Sequence, residues 1–172
     1  MSENREARRL AFAGLFMAVI TVTTAYIHVP TGLGYTHIGD GFIFLAAAML
    51  PFPYALAAGA FGAALADVLC GMAIWAPATL VIKALMVPSF TSKNGRALTR
   101  RNFLALIPAL LLNIFGYSIY EALVMTPGSL KAALVSAFAQ TPFYTIQTLM
   151  GAGIFFVLGS AADKGKVLQR VS

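Results

Sequence analysis

The sequence predicts an all-α integral membrane protein of six transmembrane helices with both termini cytoplasmic, and three observations carry that expectation. Of 172 residues, 59% are hydrophobic and only 10% are charged, whereas soluble domains carry roughly a quarter charged residues. Uncharged runs recur at the length of about 20 residues that a helix needs to cross the hydrocarbon layer. The basic residues cluster between those runs rather than within them.

The first run, Leu10 to Ile27, contains no charge and gives span one, about 10–27. It is long and shows no small-residue cleavage site after it, so a removable signal peptide is not expected. Gly41 to Ala66 is divided by Pro51-Phe52-Pro53, which one straight helix does not accommodate, giving spans of about 38–50 and 54–70. The first of these is short, as though tilted little or set in a locally thinned bilayer. After a turn at Gly71 to Pro77, span four covers about 76–90, interrupted only by Lys83. Span five runs over about 103–124. The uncharged stretch Ala132 to Ala162 is too long for one crossing and is split at Gln140-Thr141-Pro142, leaving span six at about 143–162.

Charge placement supports an even count, because cytoplasmic loops carry the excess of lysine and arginine. With the N-terminus inside, Arg5, Arg8, Arg9, Lys93, Arg96, Arg100, Arg101, Lys164, Lys166 and Arg170 all fall on the cytoplasmic side. Merging spans two and three would move the Lys93 to Arg101 cluster outside. The net charge of +6 is thus explained by topology. No basic cluster is interleaved with stacking aromatics, so a nucleic-acid partner is not expected. The single cysteine, Cys70, excludes an intrachain disulfide and a cysteine-based zinc site.

Motifs for chemistry are missing. Gly159 to Lys166 misses the phosphate-loop spacing by one place and has no following serine or threonine. His28 and His37 stand nine apart in an outer loop without the H-E-x-x-H spacing. No catalytic residue, metal or cofactor is therefore assigned. Any uphill transport draws on an ion gradient or on a separate ATPase.

Ionisable residues within a membrane are costly, roughly 2.5 to 3.5 kcal/mol at a helix centre, and mark either structural pairs or ligand sites. Asp40 opens span two, Asp67 lies near the outer end of span three, Lys83 is two turns into span four, and Glu121 closes span five. All lie in the outer half. The short connection between spans three and four allows Asp67 and Lys83 to pair, and ligand binding by the same residues stays open beside that reading. Asn113, Tyr117 and Glu121 fall at i, i+4 and i+8 on one helical face, and Tyr144, Gln147 and Thr148 approach from span six. Tyr35 and Trp75 add outer aromatics, which at a membrane surface also serve as interfacial anchors. Their coincidence with amides and carboxylates predicts an outward-facing pocket for a small, flat, polar heterocycle. The candidate set is Tyr35, His37, Asp40, Asp67, Trp75, Lys83, Asn113, Tyr117, Glu121, Tyr144 and Gln147, with the His28 to His37 loop as a lid.

The segments Gly39-Asp40-Gly41-Phe42-Ile43-Phe44-Leu45-Ala46-Ala47, Gly62 to Leu69 and Trp75 to Ala84 resemble the substrate-binding S components of energy-coupling factor (ECF) vitamin transporters. Within them the chain is most similar to the hydroxymethylpyrimidine, pyridoxine and riboflavin-type group. The resemblance implies capture of a vitamin outside and association with a membrane T component and two cytoplasmic ATPases. It also implies a toppling of the S component in the bilayer. Family members pack small residues of span one against the T component; here Gly14 and Ala18, with Ala11 on the same face, match with glycine in place of the first alanine. Internal packing is the other use of such a stripe. The substrate order the residues favour is hydroxymethylpyrimidine or a pyridoxine-like ring before riboflavin, because the single tryptophan and the small-residue spans offer limited aromatic wall. An ion-coupled secondary transporter, or a membrane enzyme using Asp67 with His37, are the alternatives from other classes.

Overall fold

The computed structural model describes residues 2–32, 34–93, 95–125 and 128–168. Leu33 of the lid loop and Arg170 of the basic cluster lie outside them. Six helical segments and one hairpin make up the described chain: α1 (Ser2–Tyr26), β1 (His28–Thr31), β2 (Gly34–His37), α2 (Asp40–Met49), α3 (Phe52–Leu69), α4 (Ala73–Ser89), α5 (Arg100–Val124) and α6 (Leu130–Lys164). Four of the helices, α1, α3, α5 and α6, are long and apolar enough to cross a membrane, while α2 and α4 are shorter. Their outward faces carry Leu15, Val22, Val81, Leu85, Phe115 and Phe156, all well exposed, as lipid-facing surfaces require.

α2 is short because protein, not lipid, surrounds it. Nine of its ten residues are buried, Asp40, Gly41 and Ile43 through Met49, so a rise of about 15 Å suffices without exposing backbone to hydrocarbon. Alanine and glycine make that burial possible by letting neighbouring backbones approach. A Cβ on Gly41 would sit 2.7 Å from the Gly151 carbonyl, and one on Gly151 would sit 2.9 Å from the Gly41 nitrogen, so α2 and α6 cross on these two glycines. A similar approach joins α1 to α3, where Thr21 donates to the Gly62 carbonyl at 2.9 Å and a Cβ on Gly62 would lie 3.1 Å from the Met17 carbonyl.

α2 ends where Leu50 and Pro51 turn extended, and α3 restarts with proline in its first turn. π-turns interrupt α3 at Ala57–Phe61 and α5 at Leu112–Gly116 and Glu121–Met125. α6, in contrast, does not break at Gln140-Thr141-Pro142 as the sequence suggested; it runs 35 residues with Pro142 inside. Thr141 and Thr145 donate to the carbonyls of Ala137 and Thr141 on the turns flanking the proline, and a helix in lipid tolerates proline where hydroxyls supply such partners. At about 52 Å, α6 is longer than the hydrocarbon layer is thick.

The end of the bundle bearing the basic loop is pinned by polar clamps. Asn102, fully buried, bonds the Thr91 nitrogen and the Thr91 and Ala97 carbonyls at 2.8–2.9 Å. Asp163 accepts from the nitrogens of Ala97 and Leu98 at 2.6 and 3.0 Å. Phe44, Phe90 and Phe155 pack beside this loop with ring centroids 5.3–6.5 Å apart. A second aromatic group, at the opposite end of α4, belongs to the site.

Candidate functional site

The segment expected as a loop is an antiparallel hairpin pairing His28 with His37 and Thr31 with Gly34. Gly32 turns it with φ of +54°, a left-handed conformation that favours glycine. Hydrogen bonds tie the hairpin to the bundle. The Tyr35 hydroxyl donates to Asp67 Oδ1 on α3, Gln140 Nε2 of α6 donates to the Thr31 carbonyl at 3.0 Å, and Thr36 donates to the Phe143 carbonyl at 3.3 Å. Burial beside Asp67 pushes the Tyr35 phenol well up. His37 accepts from the Gly39 nitrogen at 3.1 Å, and burial pushes it down to about 4, so it is neutral with its proton on Nε2.

Beneath the hairpin lies a narrow cleft. The hairpin contributes Thr31, Gly34, Tyr35 and His37; Asp67 of α3 and Trp75 and Thr79 of α4 form one wall; Tyr117 of α5 and Gln140, Tyr144 and Gln147 of α6 form the other. The aromatics are in mutual contact. Tyr117 and Tyr144 stack with centroids 5.3 Å apart, and Trp75 meets Tyr117 edge-on at 5.9 Å. The Tyr117 hydroxyl shares a 3.0 Å hydrogen bond with Thr79.

Under this cleft sits a fully buried polar network. Lys83 Nζ pairs with Asp40 Oδ1 at 2.7 Å and donates to Asn113 Oδ1 at 2.9 Å. Asn113 Nδ2 donates to Asp40 Oδ2 at 2.8 Å and to Thr148 at 2.9 Å, and Gln147 Nε2 donates to the same carboxylate oxygen at 3.0 Å. Lys83 also lies 5.3 Å from the Tyr117 ring centroid, the distance of a cation–π contact. Four helices, α2, α4, α5 and α6, meet at this one ion pair.

The expected pairing of Asp67 with Lys83 is therefore corrected: Lys83 bonds Asp40, and Asp67 bonds Tyr35. The ammonium and the α2 carboxylate are both wholly excluded from solvent, so each demands the other. Of the candidates named from the sequence, Tyr35, His37, Asp67, Trp75, Tyr117, Tyr144 and Gln147 line the cleft, and Asp40, Lys83 and Asn113 lie under it. Glu121 stands aside, accepting from Ser136 and from Tyr144 at 3.4 Å, so it touches the cleft through Tyr144. Sequence reasoning missed Thr79 and Gln140, and took Thr31 and Gly34 only as part of the loop from His28 to His37. Thr79 precedes Lys83 by four residues on one face, and Gln140, Tyr144 and Gln147 share i, i+4, i+7 spacing; both signals were legible, the second hidden by the supposed break. Among the described residues, no group of three or more His, Cys, Asp or Glu is placed to hold a metal ion.

A multi-pass helical bundle with an aromatic cleft capped by a hairpin defines a membrane-embedded small-molecule binder. The chain matches the family of the ECF-type riboflavin transporter, S component, over residues 4–164, and it belongs to that family. It is thus a component of an ECF transporter rather than a member of an enzyme family, and membership implies association with an ECF module of T component and ATPases. No curated protein matches the chain. No solved structure matches it.

Proposed function

We propose that this S component captures a water-soluble vitamin or vitamin precursor with one small aromatic ring, a hydroxymethylpyrimidine or pyridoxine-like compound, in the cleft beneath the hairpin. The observation that carries this reading is the lining of the cleft: tyrosine and tryptophan rings with a few buried polar groups, the make-up of a small-molecule site. Tyr117, Tyr144 and Trp75 receive the ring. Asp67, Gln147, His37 and Tyr35 orient its substituents, and the hairpin covers it. Asp40, Lys83 and Asn113 hold Gln147 and the floor in place, and Glu121 holds Tyr144. Riboflavin is the second reading, favoured by the description of the matched family.

The same reading has six spans and cytoplasmic termini, so that the hairpin faces outward. Ala11, Gly14 and Ala18 meet the T component; all three are exposed on α1, which accords with an outward role rather than internal packing. Uptake into proteoliposomes tests the whole. Labelled hydroxymethylpyrimidine should accumulate on ATP addition only when the chain is reconstituted with a T component and both ATPases. Accumulation by the chain alone under an ion gradient would instead establish a secondary transporter.

A further inference from the structure

The cleft has a hydrogen-bonding polarity. Asp67, 4% exposed, gives Oδ1 to the Tyr35 hydroxyl and leaves Oδ2 without a hydrogen-bond partner among the described residues. Gln140, 6% exposed, spends Nε2 on the Thr31 carbonyl, leaving Oε1 in the same condition. Both side chains line the cleft.

Three donors nearby are engaged elsewhere. Lys83 is held by Asp40 and Asn113, the Gln147 amide nitrogen by Asp40, and the Tyr35 hydroxyl by Asp67. His37, kept neutral by burial and accepting from Gly39 at Nδ1, adds no positive charge to the wall and offers only its Nε2–H. A buried acceptor with no donor is unfavourable, and a ligand gains affinity by supplying the missing donor.

Resting on the vitamin-binding reading of this cleft, we propose that its ligand is a nitrogen heterocycle that donates, through an exocyclic amino group, to Asp67 Oδ2 and Gln140 Oε1. Its ring lies against Trp75 and Tyr117. A heterocycle edge made of carbonyl oxygens sets acceptor against acceptor at Asp67 and Gln140 and binds less tightly. The pyrimidinedione edge of riboflavin, with two carbonyls flanking one N–H, fits such a wall poorly.

Calorimetric titration of the full chain in detergent tests this with three probes: amino-bearing hydroxymethylpyrimidine, its deaminated keto counterpart and riboflavin. The amino compound should bind the unaltered protein at least about tenfold more tightly than the keto compound. Asp67→Asn keeps an oxygen for Tyr35 and turns an N–H2 group to the cleft, so it should erase or reverse that preference, with thermal melting confirming that the variant is folded. If Asp67→Asn does not fold, the comparison on the unaltered chain decides by itself. Equal affinity for the amino and keto compounds, or an unchanged preference in folded Asp67→Asn, would overturn the inference while leaving a ring-binding cleft. Riboflavin binding alone would overturn it in favour of the second reading. Binding of none of the three would overturn the inference together with the hydroxymethylpyrimidine form of the reading on which it rests.

Discussion

At the scale of single residues, the Asp40–Lys83 pair dominates. Both side chains are wholly buried, and Asp40 receives Lys83, Asn113 and Gln147 together. Such a pair adds little over well-packed apolar groups, yet removing one member leaves an uncompensated buried charge that costs about 3–5 kcal/mol. Lys83→Met should therefore lower the melting temperature of the detergent-solubilised chain sharply, and Asp40→Asn added to it should recover more than half of the loss. A single variant melting with the unaltered protein would show that the pair does not hold the four helices. The sequence displayed both charges and their depth but not their pairing. Neighbouring spans suggested Asp67 for Lys83, since only Asp67 is linked to it by a short connection. What decides the partner is the burial of α2 among the other helices, a product of glycine and alanine packing that span-by-span reading does not assemble.

Among the elements, the hairpin covers the cleft. Its hold on α3 is the Tyr35 hydroxyl on Asp67, and its hold on α6 is Gln140 on Thr31 with Thr36 on Phe143. Tyr35→Phe keeps the ring and removes one charge-assisted bond of the kind that contributes about 1.5–3 kcal/mol. Ligand release should accelerate by roughly ten- to a hundredfold, since weakened lids act on dissociation more than on association. Stopped-flow fluorescence can follow this through Trp75, the only tryptophan in the chain and a residue of the cleft wall. An unchanged release rate would mean that the two α6 ties suffice. That Tyr35 and His37 lie beside the cleft was legible in the sequence. The strand pairing of the hairpin was not, because four-residue strands carry little periodicity. Splitting α6 at Pro142 had a larger cost: it separated Gln140 from Tyr144 and Gln147, although a proline rule drawn from soluble helices weakens where lipid penalises every unpaired backbone group.

For the whole molecule, two groups of helical glycines have opposite consequences. Gly41, Gly62 and Gly151 face neighbouring helices so closely that an added Cβ would meet backbone atoms at 2.7–3.1 Å. Gly14 is exposed on α1, and a Cβ there would meet nothing within 4 Å. With Ala11 and Ala18 exposed beside it, Gly14 leaves a shallow strip on the outside of the bundle, where close approach by another helix gains van der Waals contact that lipid chains do not match. Gly14→Leu should consequently leave the melting temperature and ligand titration of the isolated chain unchanged, while cutting both co-purification with the T component and ATPases and ATP-driven uptake. Gly151→Leu should do the reverse of the first half, losing the folded chain altogether by driving α2 from α6. Full recovery of the assembled transporter with Gly14→Leu would move the T-component contact to another face, and loss of ligand binding in that variant would mean that the strip packs inward after all.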